Sequence, residues 1–301
     1  MASLRSKLLS LVIRILRKKS SSTAEGTHRR LKWARPRQNY NPPPGINRDF
    51  AVRKSEFKGY PVFEWSAHDT KPDLHVLYLH GGGYLFEMTV FHWKFLAALS
   101  EELNARFIVP IYPLAPEHNW QDVYTMVMPL YGDIAGEAAD GTFVLMGDSA
   151  GGGLAAAMAL EAQKQGLPAA DQLVLLSPWF DLGLTNHAIA TIEQNDPWLG
   201  IEGAREAGRL YADGHDLKDY RLSPIYGDLA ELPPTHIYVG LRDIMSPDCV
   251  SFAEIADACG CDIELTVEPE MFHVWMLFDI PEGLRTRKSI IDDLAGTKPA
   301  Q

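Results

Sequence analysis

The sequence contains few cysteines, no long apolar run and no excess of positive charge. Its three cysteines, Cys249, Cys259 and Cys261, are an odd number without zinc-binding or redox spacing, which predicts free thiols and a cytoplasmic protein. No stable membrane span is expected, because the longest apolar run near the N-terminus covers only residues 11–13. The formal net charge of −11 disfavours a nucleic acid as partner, since phosphate binding requires a basic surface.

The first twenty residues have an amphipathic pattern. Apolar side chains recur at helical spacing (Leu4, Leu8, Leu11, Val12, Ile15 and Leu16), and basic side chains occupy the other side (Arg5, Lys7, Arg14, Arg17 and Lys18). Such a helix either lies on a membrane surface or packs its apolar side onto the rest of the protein. We favour packing, because most amphipathic helices are half-buried in their own protein.

The rest of the chain alternates between apolar runs and helical stretches. Several runs, such as residues 74–79 and 143–146, are almost continuously apolar, which is typical of parallel strands covered on both faces. The alternation predicts an α/β fold with helices on both faces of the sheet. The predicted strands are residues 60–65, 74–79, 107–111, 143–146, 173–176, 236–239 and 263–267, and the predicted helices are residues 91–103, 152–165 and 247–258.

Two regions do not follow this alternation. Residues 1–47 end in a proline-rich turn, and residues 183–222 form a connection far longer than usual. Long insertions of this kind tend to be lids or binding elements. We therefore predict a helical cap built from residues 1–47 and 183–222, over a catalytic core built from residues 48–182 and 223–301.

Residues 147–151 read GDSAG and lie between a predicted strand and a helix of small residues. This strand–turn–helix context is typical of a nucleophile elbow, in which a strained turn exposes the serine at the carboxyl end of a strand. The start of the helix also favours developing negative charge. The pattern predicts Ser149 as a nucleophile.

Residues 80–84 read HGGGY and directly follow the predicted strand 74–79. Stabilising the oxyanion of a tetrahedral intermediate requires N–H donors, and glycine backbone can approach it closely. We expect the N–H groups of Gly81, Gly82 and Ala150 to form this oxyanion hole. His80 is expected to orient the loop by hydrogen bonding.

A serine nucleophile requires a base and an acid that orients the base. In α/β-hydrolases the chain order is serine, acid, histidine. His273 follows the last predicted strand, whereas His236 begins a strand and His215 lies in the insertion. Asp243 follows a predicted strand, and we favour it over Asp248, which reads as part of a helix N-cap.

Together these motifs resemble the hormone-sensitive-lipase-like family of α/β-hydrolases, which includes many bacterial carboxylesterases. The resemblance covers residues 74–273 and rests on HGGGY, YPLAPEHNW (112–120), GDSAGGG (147–153), LSPWFDL (176–182), GLRDIMSPD (240–248) and MFHVW (271–275). It implies the α/β-hydrolase fold with an eight-stranded, mostly parallel sheet, neither metal nor organic cofactor, and a cap that lines the substrate pocket. It also implies small-molecule esters of short to medium acyl chains as substrates.

The predicted function is that of a serine carboxylesterase that forms an acyl-enzyme intermediate. Tyr84, Trp179, Phe180 and Trp198 are candidates for the apolar pocket wall, although core packing explains each of them equally well. A lactonase or an amide hydrolase would use the same residues. A ligand-binding receptor with vestigial machinery is a further alternative, against which the presence of His273 counts. Residues 263–267 are a candidate sheet edge for a homodimer.

Overall fold

An eight-stranded, mostly parallel sheet forms the centre of the protein. The computed structural model describes residues 2–67, 71–138 and 141–296. The strand order is β1-β2-β4-β3-β5-β6-β7-β8; β2 runs antiparallel to β1 and β4, and the other neighbours are parallel. The strands are β1 Arg53–Phe57, β2 Tyr60–Ser66, β3 Leu74–Leu79, β4 Ala105–Pro110, β5 Thr142–Asp148, β6 Gln172–Leu176, β7 Thr235–Gly240 and β8 Ile263–Glu268. The predicted fold class is confirmed.

Helices pack on both faces of this sheet. Every residue of β3, β5 and β6 is buried, and alternate side chains belong to two separate apolar clusters. Leu77 and Leu145 lie in one cluster, whereas Val76 and Val144 lie in the other, as the two-residue repeat of a strand requires. The helices are α1 Leu4–Ile13, α2 Lys19–Ser21, α3 Ala24–Trp33, α4 Pro44–Asp49, α5 Val90–Glu102, α6 Trp120–Glu137, α7 Ala150–Lys164, α8 Ile189–Ile192, α9 Ile201–Ala212, α10 Ser246–Ala258 and α11 Pro281–Gly296.

The seven predicted strands are all present, and their ends lie within two residues of those predicted. Strand β1 was not predicted, because its sequence RKSEF has no apolar alternation and the strand is almost entirely exposed. Helices α6 and α11 were also not predicted. Helix α6 contains Pro129 in its interior, a residue that usually marks the end of a helix.

The N-terminal segment packs against the insertion at residues 183–222. Helix α3 contacts α9, where Thr27 Oγ1 donates to the carbonyl of Gly203 at 3.2 Å. His28 Nε2 and Glu206 Oε1 are 2.6 Å apart across the same contact. Two pieces of chain that are separated by about half the sequence therefore meet above the sheet.

Helix α1 packs onto the protein through its small polar side chains. Ser6 and Ser10 are buried together with Ile13; Ser6 donates to Glu282, and Ser10 Oγ accepts from Arg242 at 3.1 Å. The apolar positions Leu4, Leu8, Leu11, Val12, Ile15 and Leu16 are instead exposed. The expectation that the apolar side packs onto the protein is therefore wrong for these positions. No described helix has both the length and the apolar content that crossing a bilayer requires.

Candidate active site

Ser149 lies at the sharp turn between β5 and α7. Its φ of 54° and ψ of −122° are a strained combination for a residue with a side chain. The flanking backbone is close-packed: a Cβ on Gly147 would lie 2.3 Å from the Gly151 carbonyl oxygen, and one on Gly151 would lie 2.0 Å from the Leu79 carbonyl oxygen. The two glycines are therefore required by the turn that holds the serine at the tip of β5.

Ser149, His273 and Asp243 form one hydrogen-bonded chain. His273 Nε2 lies 2.8 Å from Ser149 Oγ, and His273 Nδ1 lies 2.7 Å from Asp243 Oδ2. With Nδ1 protonated and donating to the carboxylate, Nε2 is available to accept the hydroxyl proton. The exposed fractions of Ser149, His273 and Asp243 are 8%, 3% and 0%. The sheet brings these residues together because each lies shortly after the carboxyl end of one of its parallel strands.

Surrounding carboxylates control the charge of His273. Burial lowers the pKa of its imidazole, but the charge and hydrogen bond of Asp243, together with the charges of Asp196 and Asp148, raise it further than burial lowers it. The net result is a pKa above the ordinary value of 6.5. The protonated imidazole that forms when the serine attacks is therefore stabilised.

Asp196 is a second buried carboxylate next to this chain, and it is not among the predicted site residues. Its Oδ1 accepts from the backbone N–H groups of Trp198 at 2.7 Å and Leu199 at 2.8 Å, and its Oδ2 accepts from that of Ile244 at 3.0 Å. Burial and the charge of Asp243 raise the pKa of Asp196. Asp196 thus links the insertion to the loop that carries Asp243. The sequence contains no motif that would have singled it out.

The competing acid and bases lie elsewhere. Asp248 is buried in the first turn of α10, where burial and the charge of Asp181 raise its pKa to about 7. His236 pairs with a carboxylate of α11, and the ring of His215 packs against α6. Among the described residues, Asp243 is the carboxylate that hydrogen-bonds to His273.

The glycine loop after β3 departs from the predicted oxyanion hole at one residue, Gly81. The N–H of Gly81 donates to Asp148 Oδ1 at 2.8 Å, so it is not available to an oxyanion and that prediction is wrong. Gly82 and Gly83 line the cavity at Ser149, with φ values of +130° and +64°. Successive residues that include positive φ angles can point their N–H groups toward one place and so form an anion-binding site. The structure therefore favours Gly82 and Gly83 over Gly81 as donors.

Asp148 anchors this loop to the nucleophile turn. Its carboxylate accepts from the Tyr78 hydroxyl at 2.6 Å and from Gly81 N–H, and it lies 3.3 Å from His92 Nε2. Burial alone would raise the pKa of Asp148, but the charge and hydrogen bond of His92 and the bonds from Tyr78 and Gly81 lower it below its ordinary value. The residue before the nucleophile thus positions the loop that faces it.

His80 is a neutral, structural residue of the same loop. Its Nδ1 donates to the carbonyl of Gly81 at 2.7 Å, and its ring stacks on Tyr112 with centroids 4.4 Å apart. Burial lowers the pKa of His80 to about 4. These contacts support the predicted orienting function and make His80 unsuitable as a base.

Ser149 and His273 open into a cavity of about 350 Å³ between the N-terminal segment and the insertion. Trp179 and Trp198 line it, and the Trp198 ring stands edge-on to His273 with centroids 6.0 Å apart. The N-terminal helix contributes apolar side chains that include Leu9. The cavity is thus mainly apolar, with the reactive atoms in its wall.

Two predicted pocket residues lie outside this lining. Tyr84 is buried and stacks on Tyr211 with centroids 3.7 Å apart. Phe180 is buried and stacks on Phe252 with centroids 3.9 Å apart. Both rings pack in the core, which was the alternative interpretation for each.

One wall of the cavity is charged. The guanidinium of Arg30 lies 4.2 Å from the centre of the Phe86 ring, and burial together with the charge of Arg17 lowers its pKa to about 10. Arg30 stays charged at neutral pH, so this wall favours a polar substrate group. Burial also raises the pKa of Glu87, which lines the same cavity.

We expect Gly82→Ala to lower kcat on the order of a hundredfold to a thousandfold, the usual cost of losing an oxyanion donor. A Cβ at this position would lie 2.2 Å from the Phe86 carbonyl oxygen, and the φ of +130° suits glycine alone. The loop would have to shift, which would displace the N–H of residue 82 from its place in the cavity wall. The measurement is kcat on a p-nitrophenyl ester beside thermal unfolding. Gly45→Ala, where a Cβ meets no atom within 4 Å, is the control, and equal rates for both variants would contradict the assignment.

The pH dependence of kcat/KM follows from the raised pKa of His273. The base acts only when neutral, so activity is present above its pKa and is lost as the pH falls through it. We expect kcat/KM to fall about tenfold per pH unit on the acid side, with a midpoint above 6.5. A pH–rate profile tests this, and a midpoint well below that value would show that the buried carboxylates do not act on the base.

Comparison with known proteins places this geometry in a family. The sequence profile of the alpha/beta hydrolase fold family matches residues 76–277. The chain is 32% identical to a triacylglycerol lipase of Mycobacterium tuberculosis over 81% of its own length and 52% of the lipase. It is 30% identical to an acetyl-hydrolase of Streptomyces hygroscopicus over 75% of its own length and 77% of that protein.

Solved structures agree with these sequence matches. A putative esterase from Staphylococcus aureus superimposes with a TM-score of 0.87 at 25% identity, covering 96% of this chain and all of the esterase. An esterase of the bacterial hormone-sensitive lipase family superimposes with a TM-score of 0.84 at 26% identity, covering 99% of both chains. The chain therefore belongs to the α/β-hydrolase fold family and, within it, to the hormone-sensitive-lipase-like enzymes.

Proposed function

We propose that this protein is a serine carboxylesterase that hydrolyses esters of short to medium acyl chains. The observation that carries the proposal is the buried chain from Ser149 Oγ through His273 to Asp243, with links of 2.8 and 2.7 Å, in the wall of a mainly apolar cavity. Relatives whose names are esterase and acetyl-hydrolase support ester hydrolysis.

The reaction proceeds by two acyl transfers. Ser149 Oγ attacks the ester carbonyl carbon while His273 Nε2 takes the hydroxyl proton, and Asp243 stabilises the resulting imidazolium. As the tetrahedral intermediate collapses, the bond from carbon to the alcohol oxygen breaks and His273 returns the proton to the departing alcohol. Water then attacks the acyl-enzyme with His273 again as the base, which releases the carboxylic acid and restores the serine.

The negative charge of each intermediate requires donors that are already in place. We assign this function to the N–H groups of Gly82, Gly83 and Ala150. Ala150 begins α7 directly after the nucleophile, so its N–H also benefits from the dipole of that helix. Gly82 and Gly83 face the cavity in a loop whose position Asp148 fixes through Gly81.

The size of the cavity sets the expected range of acyl chains. A volume of about 350 Å³ that must hold both the acyl and the alcohol group fits short and medium chains. We expect kcat/KM to be high for p-nitrophenyl acetate, butyrate and hexanoate and to fall for the palmitate ester. Turnover no higher than that of Ser149→Ala on every ester would instead support a receptor. A γ-lactone and a p-nitroanilide in the same panel test the lactonase and amide hydrolase alternatives.

The division into cap and core remains part of this proposal. Residues 1–47 and 183–222 would form the cap, and residues 48–182 and 223–301 the catalytic core. The contact of α3 with α9 supports this division, as does the fact that both segments supply residues to the cavity wall.

A cytoplasmic location and a homodimer are also proposed. The thiols of Cys249, Cys259 and Cys261 are free, which agrees with a reducing compartment. Strand β8 is at one edge of the sheet and offers backbone groups to a second copy. Cell fractionation measures the location and light scattering measures the oligomeric state. A monomer at all concentrations would contradict the proposed homodimer.

A further inference from the structure

An apolar stripe runs along the outside of α1 and of the π-helical segment Arg14–Lys18 that follows it. Leu4, Leu8, Leu11 and Ile15 recur at helical spacing, with exposed fractions of 83%, 61%, 54% and 69%. Residues 4–16 hold six of the thirteen exposed large hydrophobic side chains of the described chain. Single exposed apolar residues are normal on a protein surface, but a contiguous patch marks an interaction site.

The polar side of this segment fixes the outward orientation of the stripe. Buried Ser6 donates to Glu282, the Ser3 N–H donates to the same carboxylate at 2.5 Å, and Arg242 donates to Ser10. Further on, Lys18 Nζ donates to the carbonyl of residue 193 in the insertion at 2.9 Å. Rotating the helix to bury its leucines would break these bonds. These hydrogen bonds therefore hold the helix against the protein with the stripe facing outward.

The charge of the chain is strongly polarised toward the same segment. Residues 1–38 contain eleven lysines and arginines and one acidic residue, whereas the rest of the chain contains 17 basic and 38 acidic residues. Arg5, Lys7 and Arg14 are exposed on the helix that carries the stripe or directly after it. A basic segment with an apolar stripe complements an anionic lipid surface, and the acidic remainder would be repelled from that surface.

The mouth of the active-site cavity lies beside the stripe. Val12, Leu16 and Phe91 each line the cavity and are also exposed, with fractions of 41%, 69% and 44%. A surface that covers the stripe would therefore also cover the cavity mouth. An ester dissolved in that surface would reach Ser149 without crossing water.

We propose that residues 4–18 form a docking surface for an anionic lipid bilayer, which orients the cavity mouth toward the membrane. The leucine stripe enters the interface between headgroups and acyl chains, and the exposed Arg5 and Lys7 side chains bind the lipid phosphates. The docking itself does not depend on the activity of the enzyme. Only the entry of substrate from the bilayer rests on the proposed esterase function.

Vesicle flotation tests the docking directly, with phosphatidylcholine vesicles prepared with and without phosphatidylglycerol. Wild type is expected to float with the anionic vesicles and far less with the neutral ones. Leu8→Glu combined with Ile15→Glu should weaken partitioning about a hundredfold or more, since each buried side chain of this size contributes about tenfold or more. Arg5→Glu combined with Lys7→Glu should remove the preference for anionic vesicles. Ile255→Glu, a 42% exposed position on α10, is the matched control and should bind like wild type.

Turnover of p-nitrophenyl acetate, which dissolves in water, shows whether the variants fold, because neither Leu8 nor Ile15 lines the cavity. Equal flotation of wild type and the Leu8/Ile15 variant would overturn the proposal, as would equal binding to neutral and anionic vesicles. A third outcome would also overturn it: wild type does not float with vesicles but is a dimer in light scattering, and the Leu8/Ile15 variant is a monomer. The stripe would then contact a second copy of the chain. Flotation without any esterase turnover would overturn the proposed function and leave the docking intact.

Discussion

Replacing Ser149 by alanine is expected to lower kcat on p-nitrophenyl esters on the order of a million-fold, because the variant has no nucleophile. The cavity, the glycine loop and the imidazole remain, so weak catalysis above the rate in water would persist. The substitution removes only a hydroxyl group, so we expect the turn between β5 and α7 to keep its strained backbone conformation. The variant should therefore fold, which thermal unfolding can verify beside the kinetics.

His273→Ala should lower kcat nearly as far as Ser149→Ala, and the double variant should be no slower than either single one. Residues that act as one unit give costs that do not add. The 2.8 Å link between Ser149 Oγ and His273 Nε2 is the physical reason, because the hydroxyl is a weak nucleophile without the base. A double variant that is slower by the product of both losses would show that the two side chains act independently.

Asp243→Asn is expected to lower kcat about ten-thousandfold. The Asp243 carboxylate accepts the Nδ1 proton of His273 at 2.7 Å and so selects the tautomer whose Nε2 can take the serine proton. An amide that presents its NH₂ group to Nδ1 selects the opposite tautomer. The variant also loses the charge that raises the pKa of His273.

Asp248→Asn is the matched control for this change. Asp248 is also buried and lies only five positions further along the chain. Its pKa of about 7 favours the neutral carboxyl group, which an amide resembles in shape and charge. We expect kcat within a few-fold of wild type on the scale of ordinary buried substitutions. A severe loss with Asp248→Asn beside a mild one with Asp243→Asn would reverse the assignment of the acid.

The sequence predicts the inner strands well because burial on both faces leaves one signature, a continuous apolar run. Strand β3 has the predicted bounds, and β5 extends the predicted run by one residue at its start and two at its end. Strand β1 has no such signature, since its residues face solvent and it is held by pairing with β2. That pairing is a contact in space, which a local pattern does not encode.

The candidate site shows the same division between local and distant determinants. The chain order of the serine, the acid and the histidine, each after a strand, was sufficient to find the hydrogen-bonded chain. The error at Gly81 has a distant cause: the Asp148 carboxylate occupies its N–H, and this contact joins residues 67 positions apart. The orientation of α1 likewise depends on Glu282, which lies 276 positions from Ser6.

Covalent labelling can identify which side chain is the activated nucleophile. A p-nitrophenyl alkylphosphonate, which phosphonylates an activated serine and releases p-nitrophenolate, should add one group per chain, and peptide mass spectrometry should locate it on Ser149. Ser149→Ala should remain unlabelled, and His273→Ala should label far more slowly. Labelling of another residue, or equal labelling of wild type and Ser149→Ala, would contradict a serine activated by His273 and Asp243.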